Sequence, residues 1–274
     1  MRFMKKVFII TSSSFLFLAA WTLYSWLPTV ARISVDSEKV RSGKVKIALV
    51  TDLHSCWYGK NQEQIFGKIE RENPDIAVLS GDIFDDKILD GNAKILLERL
   101  VKKYPCFYVT GNHELWSGRA DEMKDYLRGI GVFVLEGDCR SVCVGGTEID
   151  ICGVGDSFYM EESEWKAQVE SAFSKTGESH LRILASHRPE KTEIYSQYDF
   201  DFVLAGHAHA GQVLLPFLKR GLYAPDQGFF AKYVDGAYTL KNGSILVVSR
   251  GLARGSTPLP RFFNRPEIVI LEVE

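Results

Sequence analysis

Three apolar runs in the first half of this chain each end in side chains that can hold a metal, and they do so at one interval. Residues 44–50 (KVKIALV) lead into Thr51-Asp52-Leu53-His54, and 75–80 (DIAVLS) lead into Gly81-Asp82. Residues 106–110 (CFYVT) lead into Gly111-Asn112-His113-Glu114. Asp52 to Asp82 is 30 residues, and Asp82 to Asn112 is another 30, the length of one strand–helix–strand unit. The segments between, 61–72 and 91–104, place apolar residues at helical spacing, with Ile65, Phe66 and Ile69 on one face of the first. Short apolar strands alternating with amphipathic helices predict an α/β fold with a parallel sheet covered on both faces. The three polar clusters then stand at neighbouring strand ends, where open α/β sheets bind ligands.

The rest of the chain continues the rhythm and adds antiparallel strands. A helix fits 119–128, and 132–135 is again strand-like. RSVCV and EIDICGV read as a hairpin turning through Gly145-Gly146. A helix fits 161–174, and strands at 182–186 and 202–205 are separated by a helix starting near Pro189. AYTL and SILVVS form a hairpin around Asn242-Gly243, and EIVILEV is the last strand. Charged residues make up 25% and apolar residues 46% of the 274, with a formal net charge of -2. Those values exclude wholesale disorder, a collagen-like repeat and a polytopic membrane protein. With no global basic excess, no nucleic-acid partner is expected.

Five of the six histidines fall at strand ends: His54, His113, His187, His207 and His209. Only His180 does not. Two residues apart where a strand ends, Asp52 and His54 can converge on one ion, and His207 and His209 can straddle two. Glycines at 81, 111 and 206 are expected to turn the backbone so that these side chains share one cavity. Asp, Asn and His without Cys suit a pair of Mn, Fe, Zn, Ni or similar ions. Such a pair activates a water and clamps a phosphoryl group.

The ordered series Asp52-Leu53-His54, Gly81-Asp82, Gly111-Asn112-His113-Glu114, His187 and Gly206-His207-Ala208-His209 resembles that of the calcineurin-like metallophosphoesterases. The resemblance covers residues 44–274 and implies a sandwich of mixed β-sheets flanked by helices. It implies that Asp52, His54 and His209 bind one ion, that Asn112, His187 and His207 bind the other, and that Asp82 bridges them. His113 is implied as the catalytic residue, giving a proton or hydrogen bond to the phosphoryl or leaving oxygen. Glu114 is either its orienter or a solvated group, and Asp85 and Asp86 are supporting groups rather than ligands. The segments GHAHAGQVLLP, YAPDQGFF and RGLARGSTPLPRFFNRPEI are similar to the membrane-anchored bacterial branch of YkuE/YaeI-type phosphodiesterases and UDP-diacylglucosamine pyrophosphatases. Where that branch usually has Gly after the second His of GHxH, this chain has Ala210.

Val7 to Leu27 is 21 residues without a charge, long enough to cross a ~30 Å hydrocarbon core as a helix. Trp21, Tyr24 and Trp26 near its end suit an interface, and Pro28 stops it. A single-pass anchor over 1–28, a polar stalk over 29–43 with one edge strand, and a catalytic domain outside the cytoplasm are expected. A phosphorylated lipid or nucleotide-linked lipid is then the economical substrate. The alternatives are soluble nucleotides or cell-wall phosphodiesters, and a non-catalytic metal-binding scaffold. Arg188, Arg220, Arg250 and Arg254 are candidate phosphate contacts, and Trp116, Phe158, Tyr159, Phe229, Phe230 and Tyr233 either line a groove or belong to the core. The five cysteines contain no CxxC pair. Alternation of Val142, Val144, Ile149 and Ile151 favours a four-residue turn that misaligns Cys139 and Cys152, so five free thiols are expected.

Overall fold

A computed structural model of the protein describes residues 24–254 and 260–274, apart from positions 216 and 219. Two six-stranded sheets pack face to face. The first contains β1 (Thr29–Val35), β2 (Val45–Val50), β3 (Ile76–Ser80), β4 (Cys106–Val109), β5 (Phe133–Val134) and β15 (Glu267–Val273), in the order β1-β15-β2-β3-β4-β5. The second contains β6 (Asp138–Val144), β7 (Thr147–Gly153), β8 (Leu181–Ala185), β9 (Phe202–Ala205), β13 (Gly236–Thr239) and β14 (Ile245–Val248), in the order β13-β14-β9-β8-β7-β6. A small sheet of β10 (Leu214–Leu215), β11 (Arg220–Ala224) and β12 (Gly228–Ala231) leaves the connection after β9.

Strands β2, β3, β4 and β5 are parallel, as are β7, β8, β9 and β14. Parallel strands buried on both faces must be apolar throughout, and all five residues of β3 and of β8 are buried. Ile47, Leu49, Val78, Val109, Ile151 and Ile183 fill the space between the sheets. The outer face of the first sheet is covered by α1 (Glu63–Glu72), α2 (Gly91–Leu100) and α4 (Ala120–Gly129), and that of the second by α5 (Glu162–Phe173) and α6 (Thr192–Tyr195). A short helix, α3 (Asn112–Trp116), starts directly at the end of β4. In α1 the apolar stripe Ile65, Phe66 and Ile69 is buried, and Asn73, at φ 49°, ends the helix by donating to the Ile69 and Glu70 carbonyls.

The expected fold class is therefore found: an α/β sandwich of two mixed β-sheets flanked by helices. The edge strand expected within residues 29–43 is β1, which pairs in parallel with β15. The anchor assigned to Val7 to Leu27 lies mostly outside the described residues, among which no helix is long and apolar enough to cross a membrane. The expectation of five free thiols is not met: Cys139 and Cys152 form a disulfide, while Cys56, Cys106 and Cys143 lie outside any disulfide. The turn between β6 and β7 has two residues rather than four. Gly145 and Gly146, at φ 56° and 81°, close it, and Val144 pairs with Thr147. Thr147 takes the buried position because its hydroxyl accepts the Arg41 N–H at 3.0 Å, and that register sets Cys139 opposite Cys152.

Candidate metal centre

The strand ends expected to carry ligands bring those side chains into two neighbouring clusters. Oxygen and nitrogen atoms of Asp52, His54 and His209 lie within 4.8 Å of one another, and so do those of Asp82, His187 and His207. Asp82 stands between the groups, its Oδ2 3.2 Å from His187 Nε2 and 3.6 Å from His54 Nε2. Asp52 Oδ1 is 3.7 Å from His209 Nε2. These spacings suit ligands around a common ion, since atoms about 2.0–2.1 Å from a tetrahedral metal are about 3.4 Å apart. His54 Nε2, Asp82 Oδ2 and Asn112 Oδ1 are buried without a hydrogen-bond partner. Buried polar atoms are seldom left so, and a shared cation would satisfy them. The residues present thus fit a divalent-metal centre.

The backbone is bent to aim these groups. Asp52, His54, Asp82, His207 and His209 all have positive φ, between 45° and 66°. For residues other than glycine each such bend costs about 1 kcal/mol or more, and such strain gathers at functional sites. Ala210 shares this conformation, at φ 50°, which is the physical reason a glycine suits that place. Of the three glycines, Gly81 alone is a positive-φ turn, at 81°. Gly111 and Gly206 are required by close approach: a Cβ would meet an Asp82 oxygen at 2.2 Å or an Asp52 oxygen at 2.4 Å.

A surrounding shell fixes the imidazoles. His54 Nδ1 donates to Asp85 at 2.9 Å, and His187 Nδ1 donates to the Ser80 carbonyl at 2.9 Å. Each bond sets the tautomer that presents Nε2 inward. His113 Nδ1 donates to Asp86 at 2.7 Å, so Asp86, not Glu114, orients His113. Glu114 is neither an orienter nor solvated. Fully buried, it accepts the N–H groups of Asp82, Phe84 and Gly111 at 2.8–3.0 Å.

The electrostatics answer the same arrangement. Burial works against a charge on Asp82, but His187 and His54 hold its carboxyl well below the ordinary value. Burial opposes protonation of His187, yet Asp82 and Asp52 push it up to about 10. Burial, with His54 and Arg261 adding, keeps His209 well below its usual range. Burial and the Asp82 charge push Glu114 up to about 7.

A cleft of about 450 Å³ leads to the centre, lined by Asp82, Asn112, His113, Trp116, Phe158 and Arg188 among others. Arg188 is the one candidate phosphate contact among its lining residues. Its guanidinium is engaged by Asp156, at 2.6 and 2.8 Å, and by Asp226. Arg250 pairs with Asp235 and Glu267 instead, Arg254 lies over the Tyr58 ring, and Arg220 donates to the Phe230 carbonyl. Trp116 and Phe158 line the cleft and meet edge to face, whereas Tyr233 packs on Tyr238. Sequence reasoning missed Asp226, whose carboxylate lies 2.9 Å from His207 Nε2, and Lys87, which lines the cleft. The YAPDQGFF segment contains Asp226, but nothing in its spacing tied that residue to His207. His180 binds Asp150 at the second sheet and is no part of the centre.

A two-sheet sandwich with paired Asp, Asn and His clusters at its strand ends defines a metal-dependent phosphoesterase. The calcineurin-like phosphoesterase family matches residues 45–211, and the chain belongs to it. Its members are hydrolases acting on phosphoesters and use a dinuclear metal centre. An uncharacterized metallophosphoesterase of Helicobacter pylori is 30% identical over 84% of this chain, which spans 60% of that relative's length. The phosphodiesterase YaeI of Escherichia coli is 26% identical over 86% of this chain and 84% of its own. A "Transmembrane protein with metallophosphoesterase domain" of Bos taurus is 26% identical over 89% of this chain and 56% of its own. The NAD nucleotidase of Haemophilus influenzae shares the fold, with a TM-score of 0.51 at 15% identity, over 77% of this chain and 46% of its own.

Proposed function

We propose that the chain hydrolyses a phosphodiester or pyrophosphate bond with two divalent ions, and that the phosphoryl group is borne by a lipid or nucleotide-linked lipid. In this reading Asp52, His54 and His209 hold one ion, Asn112, His187 and His207 hold the other, and Asp82 is shared. The observation that carries it is the pair of clusters, Asp52–His54–His209 and Asp82–His187–His207, each with its ligand atoms within 4.8 Å of one another and drawn from strand ends of both sheets. When bound, the ions would supply an acidified water and offset phosphoryl charge. With Nδ1 held by Asp86, His113 has Nε2 left to hold or pass a proton at the leaving oxygen. Lys87 adds a positive charge at the cleft for a phosphate oxygen. Trp116 and Phe158 offer the apolar wall that a lipid or base needs. The relative named a phosphodiesterase and the one named a transmembrane protein support the bond type and the lipid setting.

The test is hydrolysis by the full chain, with Mn, Zn, Mg or Ni added, of phospholipid-type and soluble phosphoesters. Metal-dependent turnover that favours the lipid is expected. Turnover of soluble nucleotides alone would replace the lipid reading with the soluble-phosphodiester one, and no turnover with any metal would leave a binding scaffold.

A further inference from the structure

The connections between strands carry their exposed apolar side chains very unevenly. Among the described residues, every exposed large hydrophobic side chain except Ile95 and Phe133 lies at the end of the sandwich that holds the centre. They precede β1 or occupy connections that leave strands at that end. Trp57 follows β2, Leu89 follows β3, Tyr159 follows β7, and Phe217 and Phe229 belong to the connection between β9 and β13. Trp57 is 61% exposed, Leu89 88%, Tyr159 70%, Phe229 72% and Phe217 100%. The connections at the opposite end, such as 36–44, 145–146 and 240–244, contribute none. Single exposed apolar groups are ordinary, but a rim of them gathered at one end marks an interaction surface.

The direction of β1 says what covers it. Thr29 pairs with Glu267, and β15 runs antiparallel to β2, so β1 begins beside the carboxyl end of β2. The chain therefore comes into the sandwich at the centre's own end. Directly ahead of it stands the uncharged run Val7 to Leu27, with Trp26 exposed at its close. The exposed cations Lys60, Lys87, Arg220 and Lys232 stand in the same end's connections and match anionic headgroups. We propose that this end rests on a lipid bilayer, with the aromatic rim in the headgroup layer and the cleft opening onto the membrane surface. Aromatic rings with a polar edge prefer that layer. The proposal deepens the lipid-phosphoester reading of the same site and rests on it for the hydrolysis arm alone.

Two measurements on the full chain in phosphatidylethanolamine/phosphatidylglycerol vesicles test it. In a variant keeping only Trp57, with the other tryptophans changed to Phe, brominated phosphatidylcholine should quench the fluorescence strongly. A variant keeping only the buried Trp165 should be nearly unaffected. In the second, Leu89→Asp, Phe217→Asp and Phe229→Asp together should lower hydrolysis of a vesicle-borne phosphodiester at least about tenfold. They should leave a small soluble phosphodiester unchanged. Quenching of Trp57 no stronger than that of Trp165, or equal turnover of vesicle substrate by parent and triple variant, overturns the proposal. Concentration-dependent self-association without quenching assigns the rim to a second copy and also overturns it. If neither substrate is cleaved by the parent, the hydrolytic reading fails, and quenching alone decides the docking.

Discussion

Asp52, His54, Asp82 and Asn112 come from three parallel strands of the first sheet, whereas His187, His207 and His209 follow two strands of the second. The first group is tied into the backbone. Asp52 N donates to the Gly81 carbonyl, His54 N to the Asp82 carbonyl and His113 N to Asp82 Oδ1, and buried Glu114 gathers three further N–H groups. In the second group, His207 leans on Asp226, a residue of the long connection after β9 whose side chain is 51% exposed. His187 Nδ1 donates to the Ser80 carbonyl, His207 N to Asp52 and the buried Asn264 amide to the His209 carbonyl, so both halves are tied to the fold, and the difference is that the His207 ring alone also leans on a partly exposed carboxylate.

The largest expected effect breaks the first half. Glu114→Ala leaves three buried N–H groups without acceptors, at about 1–3 kcal/mol each. Urea unfolding should show a loss of about 3–9 kcal/mol, and a loss under about 1 kcal/mol would remove Glu114 from the fold's support. His113→Ala should lower kcat by about 10²–10⁴-fold with the ions retained, and least for good leaving groups such as nitrophenolate. Equal losses on all substrates, or loss of metal, would give His113 a structural or ligand role.

Asp226→Asn sharpens the contrast from the other side. Its partly exposed pairs should be worth about 1 kcal/mol or less to stability, while turnover falls through the loosened His207. A stability loss matching that of Glu114→Ala would erase the distinction between the halves. The smallest effect is at Ala210. Replacing it by Gly relieves a left-handed conformation at some entropic cost in the unfolded chain, for a net gain of about 0.5–1 kcal/mol. Thermal unfolding at a lower temperature than the parent would show that packing of the buried methyl outweighs the strain.

The first half of the centre was legible because the 30-residue spacing is a property of the chain itself: each strand, helix and turn adds a fixed length. The helices at 63–72, 91–100 and 120–129 and the parallel strands followed from apolar periodicity. What stayed hidden depends on contacts between distant segments. Glu114 looks like an ordinary helix-start acid until its three backbone partners, two of them about thirty residues away, surround it. Asp226 reaches His207 across a 19-residue separation that no local pattern encodes. The disulfide turned on one hydroxyl, because the Thr147 bond to Arg41 decides the hairpin register and spans 106 residues. The edge strand was expected, but its partner β15, more than 230 residues later, was not encoded in any local pattern.

The central claim is that these seven side chains form one two-ion centre joined by Asp82. The most direct measurement is metal content per chain after loading the full protein with Mn or Zn and dialysing. Two ions are expected for the parent, and no more than one for Asp82→Asn, which loses the charge and second anionic oxygen that sharing requires. A parent that holds a single ion, or an Asp82→Asn variant that keeps two with full activity, would contradict it.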